Sequence, residues 1–384
     1  KLESMTVRRI VIVSWLILMA LQTTAGQDKY YNLQQQGAQL LVRFDSWLNR
    51  NEKVYPSSTE YSKRFSIYVS NNALVNHHNA AYEKGVTSYA MTMDGPFADL
   101  TFDEFQASYL MMKKKAKDCY ATPSQESSVP AVDRTHPKVC DWRTKGVLTP
   151  IKSQGQCGSC WTFASTGTLE AHHCIAQGLD CSQWTGLSEQ QLVDCAGGSF
   201  GNAGCSGGWP STAMEYVEYA GGIVTEESYQ YLGQNGTACH AARKLKKPKN
   251  IGARVRKVHN ITAGDEQELV QAVGTIGPVA VAFDVANGFS LYSHGVYDAF
   301  NATSGKHNCK NDIQHLNHAV VAVGYGETMD DHPKPYHIVR NSWGNTWGME
   351  GYFWILRGEN LCGISDCAAY PDVISALRKS TNRN

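Results

Sequence analysis

The sequence predicts an α+β protein in which the helices come first and the strands follow. Helical patterns cover residues 160–177, 188–195 and 210–219, and Gly178, directly after the first, is a usual helix terminator. Four apolar runs of strand length come later: 279–283, 319–325, 336–340 and 351–356. Helices and strands that are segregated along the chain favour two lobes with a cleft between them.

Two more helices are predicted before this region. The first is amphipathic, since five apolar side chains recur at helical spacing: Leu40, Leu41, Phe44, Trp47 and Leu48. The second covers residues 60–84. An amphipathic helix needs a partner surface, so we expect both helices to pack on another part of the chain. Residues 120–136 are rich in Pro, Ser and Thr and are typical of a linker.

The composition is that of a globular protein. The chain has 384 residues, 42% of them hydrophobic, with 35 basic and 35 acidic side chains, and this length favours one large domain plus an accessory region. The zero formal charge gives no reason to expect a nucleic-acid partner. Two lysine-rich runs, 113–117 and 244–249, are expected to be solvated loops, and the first is alternatively an exposed processing site.

The N-terminal residues predict a secretory signal peptide over residues 5–25, with translation starting at Met5. Two arginines precede an apolar run over 10–21, and small residues follow it. This run is short for a bilayer span and no later segment is as apolar, so we expect no membrane anchor. A secretory route, to the lysosome or the cell exterior, agrees with twelve cysteines. Three Asn-x-Thr sequences are candidate glycosylation sites: Asn235, Asn260 and Asn301.

The most informative segment is residues 154–161, Gln-Gly-Gln-Cys-Gly-Ser-Cys-Trp. Its second cysteine, Cys160, follows a glycine-rich turn and opens a predicted helix, where the macrodipole and free N–H groups favour thiolate over thiol. A thiolate with a partner base is a nucleophile for acyl transfer. The Cys157–Cys160 spacing also fits a pair of zinc ligands, but the sequence has no second Cys-x-x-Cys, so we expect no metal and no cofactor.

The partner base is sought among thirteen histidines. His318 stands out because it precedes an apolar strand that would hold its imidazole rigidly. Asn341 follows the next strand, and its amide would orient the imidazole. Trp343 would either shield that hydrogen bond from water or simply pack in the core. Gln154 would join the Cys160 backbone N–H in an oxyanion hole, worth about 10²–10³-fold per donor; taken alone, Gln154 is a polar loop residue.

These residues resemble those of the papain family of cysteine peptidases, and the resemblance covers residues 40–373. Six positions keep the order and spacing of the Glu-Arg-Phe-Asn-Ile-Asn motif in the family's propeptides: Glu60, Arg64, Tyr68, Asn71, Val75 and Asn79. Phe97 and Asp99 resemble the end of the second propeptide motif, although Met93 and Gly95 replace its Gly and Asn. The resemblance implies a two-lobe papain-like fold, with a helical left lobe and a β-barrel-like right lobe, preceded by a helical inhibitory propeptide.

Such a propeptide is expected to cover the cleft and to leave it in acid. Carboxylates that are paired in the docked form, such as Glu60 with Arg64 or Asp99, would become protonated as the pH falls. In the uncovered enzyme the resemblance implies that Cys160 is the nucleophile and His318 the base, with Asn341 and Gln154 in the orienting and oxyanion-binding roles.

Within the family, the chain resembles the cathepsin H and aleurain-like branch. Its members keep a short propeptide fragment, the mini-chain, that is disulfide-bonded to the enzyme and blocks the non-primed side of the cleft. Residues 118–122, Asp-Cys-Tyr-Ala-Thr, resemble it and imply a Cys119–Cys367 disulfide. Cleavage after Thr122 would leave a carboxylate that captures a substrate's free amine, which implies aminopeptidase activity. Lysines replace the acidic residue and the proline that the mini-chain pattern has before the cysteine. The alternative to an aminopeptidase is therefore a cathepsin L-like endopeptidase without a retained mini-chain.

The resemblance also implies three disulfides in the peptidase domain: Cys157–Cys205, Cys195–Cys239 and Cys309–Cys362. Cys140, Cys174 and Cys181 remain; a Cys174–Cys181 bridge would close only a short loop, but sequence does not fix the connectivity. The substrate cleft is implied to contain six residues: Trp209, Pro210, Ala282, Leu316, Thr122 and Trp343. The first four are alternatively ordinary core residues.

The resemblance therefore implies a cysteine peptidase that is made as an inhibited precursor. Its expected partners are peptide or protein substrates, its own propeptide and cystatin-like inhibitors. A remote alternative is an inactive papain-like binding or storage protein, which the intact candidate catalytic residues disfavour. The expected segments are a signal peptide (5–25), an inhibitory propeptide (26–117), a mini-chain-like segment (118–122), a linker (123–136) and a papain-like peptidase domain (137–384).

Overall fold

The computed structural model describes residues 24–111, 119–122, 136–236, 238–301 and 304–374. The chain divides into two compact units between Asn72 and Ala73. Nearly all of the expected signal peptide, the lysine run over 113–117 and nearly all of the predicted linker lie outside the described residues. Over the described ranges, no helix is long and apolar enough to cross a membrane.

The first unit contains helix α1 (Thr24–Arg50) and the first part of helix α2 (Ser58–Tyr82). The apolar faces of these helices meet in an aromatic cluster. The centroid of the Phe44 ring lies 5.9 Å from that of Trp47 and 5.1 Å from that of Tyr68, and all three side chains are buried. Both predicted N-terminal helices are therefore confirmed, and the amphipathic faces pack on each other.

The second unit begins within α2 and continues through strand β1 (Tyr89–Met91) and helix α3 (Phe102–Tyr109). Thr101 caps α3. Its hydroxyl accepts a hydrogen bond from the N–H of Glu104, and the Glu104 carboxylate accepts one from the N–H of Thr101. This reciprocal cap fixes the start of α3 and so sets the position of Tyr109 at its other end.

Helices α4 to α8 come next in the chain: Cys160–Gln177, Glu189–Cys195, Pro210–Tyr219, Ala241–Leu245 and Glu266–Thr275. Helix α4 is buried along most of its length and ends at Gly178, whose φ of 63° is a left-handed conformation that favours glycine. Ser188 caps α5 by accepting a hydrogen bond from the N–H of Gln191, so this helix begins one residue later than predicted.

Among the residues described, nine strands form one sheet. In spatial order they are β1, β7 (Tyr292–Tyr297), β12 (Tyr352–Leu356), β11 (Pro335–Arg340), β10 (His318–Glu327), β6 (Val279–Phe283), β13 (Ala368–Val373) and β5 (Val255–Asn260), with β2 (Cys140–Asp141) paired to β10. Two short pairs stand apart: β3 (Ile223–Val224) with β4 (Ile251–Ala253), and β8 (Phe300–Asn301) with β9 (Lys306–His307).

The four predicted strands correspond to β6, β10, β11 and β12. Strand β10 is antiparallel to both β6 and β11, with His318 opposite Phe283 and Val321 opposite Arg340. Every residue of β10 except the last is buried, which explains why its sequence is continuously apolar instead of alternating. The sequence pattern did not predict β1, β5, β7 or β13. Helices α4 to α6 precede the four central strands, as expected for an α+β fold. Helix α8, however, lies between β5 and β6, and the short strands β1 and β2 precede α4.

Five disulfides lie within the described residues: Cys119–Cys367, Cys157–Cys205, Cys174–Cys181, Cys195–Cys239 and Cys309–Cys362. They include the four pairs that the resemblance implied. The sequence did not fix the pairing of Cys140, Cys174 and Cys181. In the structure Cys174 pairs with Cys181, and Cys140 and Cys160 are free thiols.

A buried ion cluster joins α4 to α5. The Nζ atom of Lys152 lies 2.7 Å from Oε1 of Glu170 on α4 and 2.7 Å from Oε1 of Glu189 on α5, and each carboxylate is only 1% exposed. Burial works against the charge of Lys152, but the two carboxylates raise its pKa above the ordinary value. Lys152 therefore stays charged and holds two helices together, two residues before Gln154.

We expect Lys152→Met to lower the free energy of unfolding by about 3–5 kcal/mol, because it leaves two buried carboxylates without a counter-charge. Urea unfolding with the disulfides intact measures this change. The matched control is Lys145→Met at an exposed position, which should change stability by less than about 0.5 kcal/mol. Equal stability of the two variants would show that the cluster is not held by Lys152.

Candidate active site

Cys160 is the first residue of α4 and is completely buried. Its Sγ atom accepts a hydrogen bond from the N–H of Ala319 on β10 at 3.4 Å. Burial raises the pKa of the Cys160 thiol to about 12, although backbone N–H groups act in the opposite direction. The expectation of a thiolate was therefore wrong for this form of the protein, because desolvation outweighs the helix N-terminus.

His318 is the first residue of β10, and its imidazole is held from two sides. Nε2 lies 2.8 Å from Oδ1 of Asn341, and the Trp343 ring stacks on the imidazole at a centroid distance of 4.6 Å. Burial lowers the pKa of His318 to about 4, although the hydrogen bond to Asn341 raises it. At neutral pH both the thiol and the imidazole are therefore uncharged.

The hydrogen bonds around Asn341 assign the histidine tautomer. Oδ1 of Asn341 also accepts a hydrogen bond from the N–H of Ser342 at 2.8 Å, and since a backbone N–H only donates, this atom must be the amide oxygen. Nε2 of His318 must then carry the proton. Nδ1 is left unprotonated and, over the part of the chain that the structure describes, has no hydrogen-bond partner. It is the nitrogen that is free to take a proton.

Gln154 directs its side-chain amide at a carbonyl group from the N-terminal part of the chain. Its Nε2 donates to the carbonyl oxygens of Tyr109 and Cys157, both at 2.8 Å. Its Oε1 accepts a hydrogen bond from the hydroxyl of Ser342 at 2.7 Å. The Tyr109 carbonyl therefore lies on the donor that was predicted to bind a substrate oxyanion.

Residues 109–111 continue along the same cleft. The N–H of Met111 donates to the carbonyl of Asn317 at 2.8 Å. At Gly158, a Cβ atom would lie 2.9 Å from the carbonyl oxygen of Leu110 and 2.5 Å from that of Cys205. Only glycine therefore lets these segments of the chain approach each other this closely. The backbone of residues 109–111 thus occupies the space in front of Cys160.

Aromatic side chains hold this segment against the site. Phe97 and Phe105 each meet the Trp343 indole edge to face, at centroid distances of 5.6 and 5.1 Å. Tyr109 packs on Phe97 at 4.8 Å and on Phe105 at 5.3 Å. Trp343 therefore packs on His318, next to its hydrogen bond with Asn341, and also contacts the aromatic side chains that hold residues 109–111.

A second attachment lies on β1, which pairs antiparallel with β7. Asp298, just beyond β7, accepts hydrogen bonds from the Thr87 hydroxyl at 3.1 Å, from the Ser88 N–H at 2.9 Å and from the Ser88 hydroxyl at 2.6 Å. Asn79 on α2 holds β1 from its other side, because its amide bonds both the N–H and the carbonyl of Met91 at 2.9 Å. These contacts connect residues 73–111 to the catalytic sheet.

His78 is a further titratable group at this attachment, besides the carboxylates that were expected to respond to acid. Glu60 and Arg64 do form an ion pair of 2.7 Å, but it joins two residues of one helix turn. The His78 imidazole is buried, lies 2.8 Å from the carbonyl oxygen of Tyr89 and packs on the Tyr89 ring at 4.2 Å. Burial lowers the pKa of His78 from 6.5, although Asp298 and the hydrogen bond raise it.

The predicted cleft residues Trp209, Pro210, Ala282 and Leu316 are all buried. Three of them, Trp209, Ala282 and Leu316, belong to one apolar cluster that also contains Met111, Cys119 and Ala121. The structure therefore brings the predicted apolar pocket, the occupying segment and the mini-chain-like segment into the same core.

The mini-chain-like segment is bound along residues 119–122. The Cys119 carbonyl accepts a hydrogen bond from the Ser211 hydroxyl, and the Tyr120 hydroxyl donates to the carbonyl of Asp366 at 2.5 Å. Thr122 is exposed, and its N–H donates to the Glu215 carboxylate at 3.4 Å. In this uncleaved chain Thr122 therefore lies beside an acidic side chain of α6; a carboxylate at this position would be repelled.

Asn260, one of the predicted glycosylation sites, binds the mini-chain-like segment. It is half-buried, and its amide forms two hydrogen bonds with the backbone of Ala121: Oδ1 accepts from the N–H at 3.1 Å and Nδ2 donates to the carbonyl at 2.9 Å. The nitrogen that would carry a glycan is used to hold residues 119–122. Asn235, in contrast, is exposed.

Sequence patterns missed several residues of the site. Ser342 and Asn317 stand next to predicted residues and contact Gln154 and Met111, but adjacency alone did not reveal these contacts. Asp298 had no local signal. Gly158 lies inside the octapeptide, and the need for a glycine there becomes evident only from the Leu110 carbonyl beside it.

Because docked His78 excludes a proton that the undocked segment binds below pH 6.5, the docking free energy should weaken as the pH falls through and below that value. His78→Gln removes this titration, so we expect release to need a pH about one unit lower. Hydrogen-exchange protection of residues 89–91, corrected for intrinsic exchange rates and measured from pH 7 to pH 4 in a Cys160→Ala background, tests this.

The exposed His332, in the loop between β10 and β11, supplies the control. We expect His332→Gln to leave the release midpoint unchanged. An unchanged midpoint in His78→Gln would assign acid release to groups other than His78.

Comparisons with known proteins agree with this geometry. Residues 136–372 match the papain family cysteine protease domain, and residues 44–105 match the cathepsin propeptide inhibitor domain (I29). The chain is 43% identical over 335 residues to a thiol protease aleurain-like protein of Arabidopsis thaliana, covering 87% of this chain and 84% of that protein. It is 42% identical over 329 residues to pro-cathepsin H of Bos taurus, covering 85% and 89%.

Solved precursor structures are similar as well. Digestive procathepsin L 3 of Tenebrio molitor gives a TM-score of 0.71 at 33% identity, covering 86% of this chain and 98% of that one. The proform of the ragweed pollen allergen Amb a 11, a cysteine protease, gives a TM-score of 0.70 at 32% identity, covering 86% and 92%. The chain therefore belongs to the papain family of cysteine proteases and is a peptidase made as a precursor with its own inhibitory propeptide.

Proposed function

We propose that Cys160, His318, Asn341 and Gln154 hydrolyse peptide bonds once residues 109–111 leave the cleft. Removal of the covering chain returns water to the site and ends the desolvation that keeps both groups neutral. The thiol proton can then pass from Sγ of Cys160 to Nδ1 of His318, which gives a thiolate and an imidazolium. The unpartnered, unprotonated Nδ1 in the precursor supports this assignment.

In acylation, Sγ of Cys160 forms a bond to the substrate carbonyl carbon, and the oxygen becomes an anion bound by the Gln154 amide and the Cys160 N–H. The C–N bond then breaks as the imidazolium gives its proton to the leaving amine. A water molecule attacks the thioester while His318 takes its proton, and the C–S bond breaks to release the acid and restore the thiolate. The position of the Tyr109 carbonyl on Gln154 supports this use of the amide.

We infer that the mature enzyme acts as an aminopeptidase on peptides with a free N-terminus. The observation that carries this proposal is the Cys119–Cys367 disulfide, which anchors residues 119–122 in the apolar cluster that contains Trp209 and Leu316. A segment tethered there would leave no room for substrate residues on the non-primed side. Peptides would then bind only with their first residue at the reacting centre.

Recognition of the substrate's amine would come from the new chain end. If cleavage follows Thr122, its carboxylate forms beside the Glu215 carboxylate, to which the Thr122 N–H is bonded in the precursor. Repulsion between the two charges would move the chain end away from α6. A carboxylate released in this way is able to pair with the α-ammonium group of a substrate.

The remaining expectations also belong to this proposal. Five disulfides support a secretory route to the lysosome or the cell exterior. A cleft that accepts an extended inhibitory segment supports recognition by cystatin-like inhibitors. The segment boundaries predicted from the sequence, and glycosylation at Asn235, Asn260 and Asn301, stay predictions.

Cys160→Ser should lower hydrolysis of a fluorogenic peptide amide by more than about 10³-fold, because serine forms no comparable anion at acid pH. The propeptide is removed by an added aspartic protease, so that self-cleavage is not required. Cys140→Ser, which changes the other free thiol, should keep full activity. Peptide hydrolysis by Cys160→Ser at a tenth of the wild-type rate would refute the proposed nucleophile.

The aminopeptidase proposal is tested by the double variant Cys119→Ser, Cys367→Ser, which releases residues 119–122 and leaves no new thiol. We expect the ratio of activity on free-amine aminoacyl amides to activity on N-blocked peptide amides to fall by at least about tenfold, equivalent to about 1.4 kcal/mol. Non-reducing mass spectrometry of the wild-type mature enzyme should show a peptide containing Cys119 linked to Cys367.

Cys140→Ser is again the control and should leave the ratio unchanged. A wild-type enzyme that prefers N-blocked substrates, or a ratio that the double variant does not change, would favour a cathepsin L-like endopeptidase.

A further inference from the structure

The Tyr231 hydroxyl connects the two segments that would form the oxyanion hole. It lies 2.8 Å from the carbonyl oxygen of Gln154 and 2.6 Å from the hydroxyl of Ser159, the residue before Cys160. A carbonyl oxygen only accepts, so the Tyr231 proton is donated to Gln154. The Ser159 hydroxyl then donates to the Tyr231 oxygen, and one phenol bonds both ends of the segment 154–160.

The Tyr231 side chain is itself fixed in place. Its N–H donates to Oε1 of Glu226 at 2.7 Å, and its ring meets Phe163, in the first turn of α4, edge to face at 5.0 Å. Burial raises the pKa of the Tyr231 hydroxyl above its ordinary value, although the Ser159 hydroxyl lowers it. The phenol therefore keeps its proton and stays a donor at acid and neutral pH.

An oxyanion hole works only if its donors are already placed when charge develops. The two proposed donors, the Gln154 amide and the Cys160 N–H, come from opposite ends of a glycine-rich turn in which Gly155 has a φ of 59°. Ser342 fixes the Gln154 amide from the side of β11. Tyr231 fixes the Gln154 backbone relative to Ser159, and so sets the spacing between the donors.

We propose that Tyr231 is a positioning residue of the oxyanion hole, acting through the Gln154 carbonyl and the Ser159 hydroxyl without touching the substrate. This inference rests on the oxyanion-binding role proposed for Gln154. Its consequence is that the phenol hydroxyl contributes to the rate of acyl transfer and not to substrate binding, since the interaction it supports is made with the developing anion.

The test is Tyr231→Phe in the full-length chain, processed in the same way as the wild type. We expect kcat for peptide amides to fall about tenfold, less than the loss of a whole donor, while KM changes less than about twofold. Alkylation of Cys160 by iodoacetamide, a reaction without an oxyanion, should proceed at the wild-type rate.

Tyr229→Phe is the matched control. Tyr229 is in the same segment, and its hydroxyl bonds the Asp194 carboxylate at 2.6 Å, away from Gln154. We expect this variant to keep the wild-type kcat. If Tyr231→Phe fails to fold, Ser159→Ala breaks the same bridge at its other end and should give the same loss of kcat with unchanged KM. A loss of thermal stability in Tyr231→Phe with full kcat would overturn the proposal.

A double-mutant cycle separates this inference from the proposed function. If Tyr231 acts through Gln154, Tyr231→Phe should change kcat less than about twofold when Gln154 is already alanine. Additive losses would overturn the positioning role alone. An unchanged kcat in Gln154→Ala would overturn the oxyanion hole itself, and the role of Tyr231 with it.

Discussion

Burial of the Cys160 sulfur is the constraint on which the rest of the precursor depends. A nucleophile that is completely covered has lost the solvation that its anion needs, and the N-terminus of α4 does not replace it. The backbone of residues 109–111 is therefore held in front of a neutral thiol. The same burial keeps the His318 imidazole uncharged, so the covering segment and the nucleophile coexist without reaction.

Side-chain amides hold the covering parts of the chain in a common way. Asn79 bonds both backbone groups of Met91, and Asn260 bonds both backbone groups of Ala121. An asparagine amide presents an N–H donor group beside a carbonyl acceptor, as a neighbouring strand would, but it engages only a single residue. Such attachments define the position of a segment, but only two hydrogen bonds have to break at each of them when the segment is released.

How much could be predicted depended on the range of the interactions. The octapeptide around Cys160, the strand after His318 and the spacing from Glu60 to Asn79 are local patterns, so the fold class, the main helices and four central strands followed from them. Contacts such as Asp298 with Ser88, or Tyr231 with Gln154, join residues that are far apart, and no local pattern encodes them. The thiolate expectation failed for the same reason, since the covering residues come from a distant part of the sequence.

The pairing of β1 with β7 has a consequence for the enzyme after its propeptide is gone. Among the residues that the structure describes, β7 is then left with β12 as its one neighbouring strand. It becomes an edge strand, a type of strand that other chains can extend into aggregates. Gly295 has a φ of 90°, and a side chain there would lie 2.5 Å from the Ser88 carbonyl oxygen. The glycine that lets β1 approach so closely also leaves the uncovered edge irregular. A side chain at position 295 would therefore block the approach of β1 without disturbing the pairing of β7 with β12, so this one position separates binding of the inhibitor from integrity of the sheet.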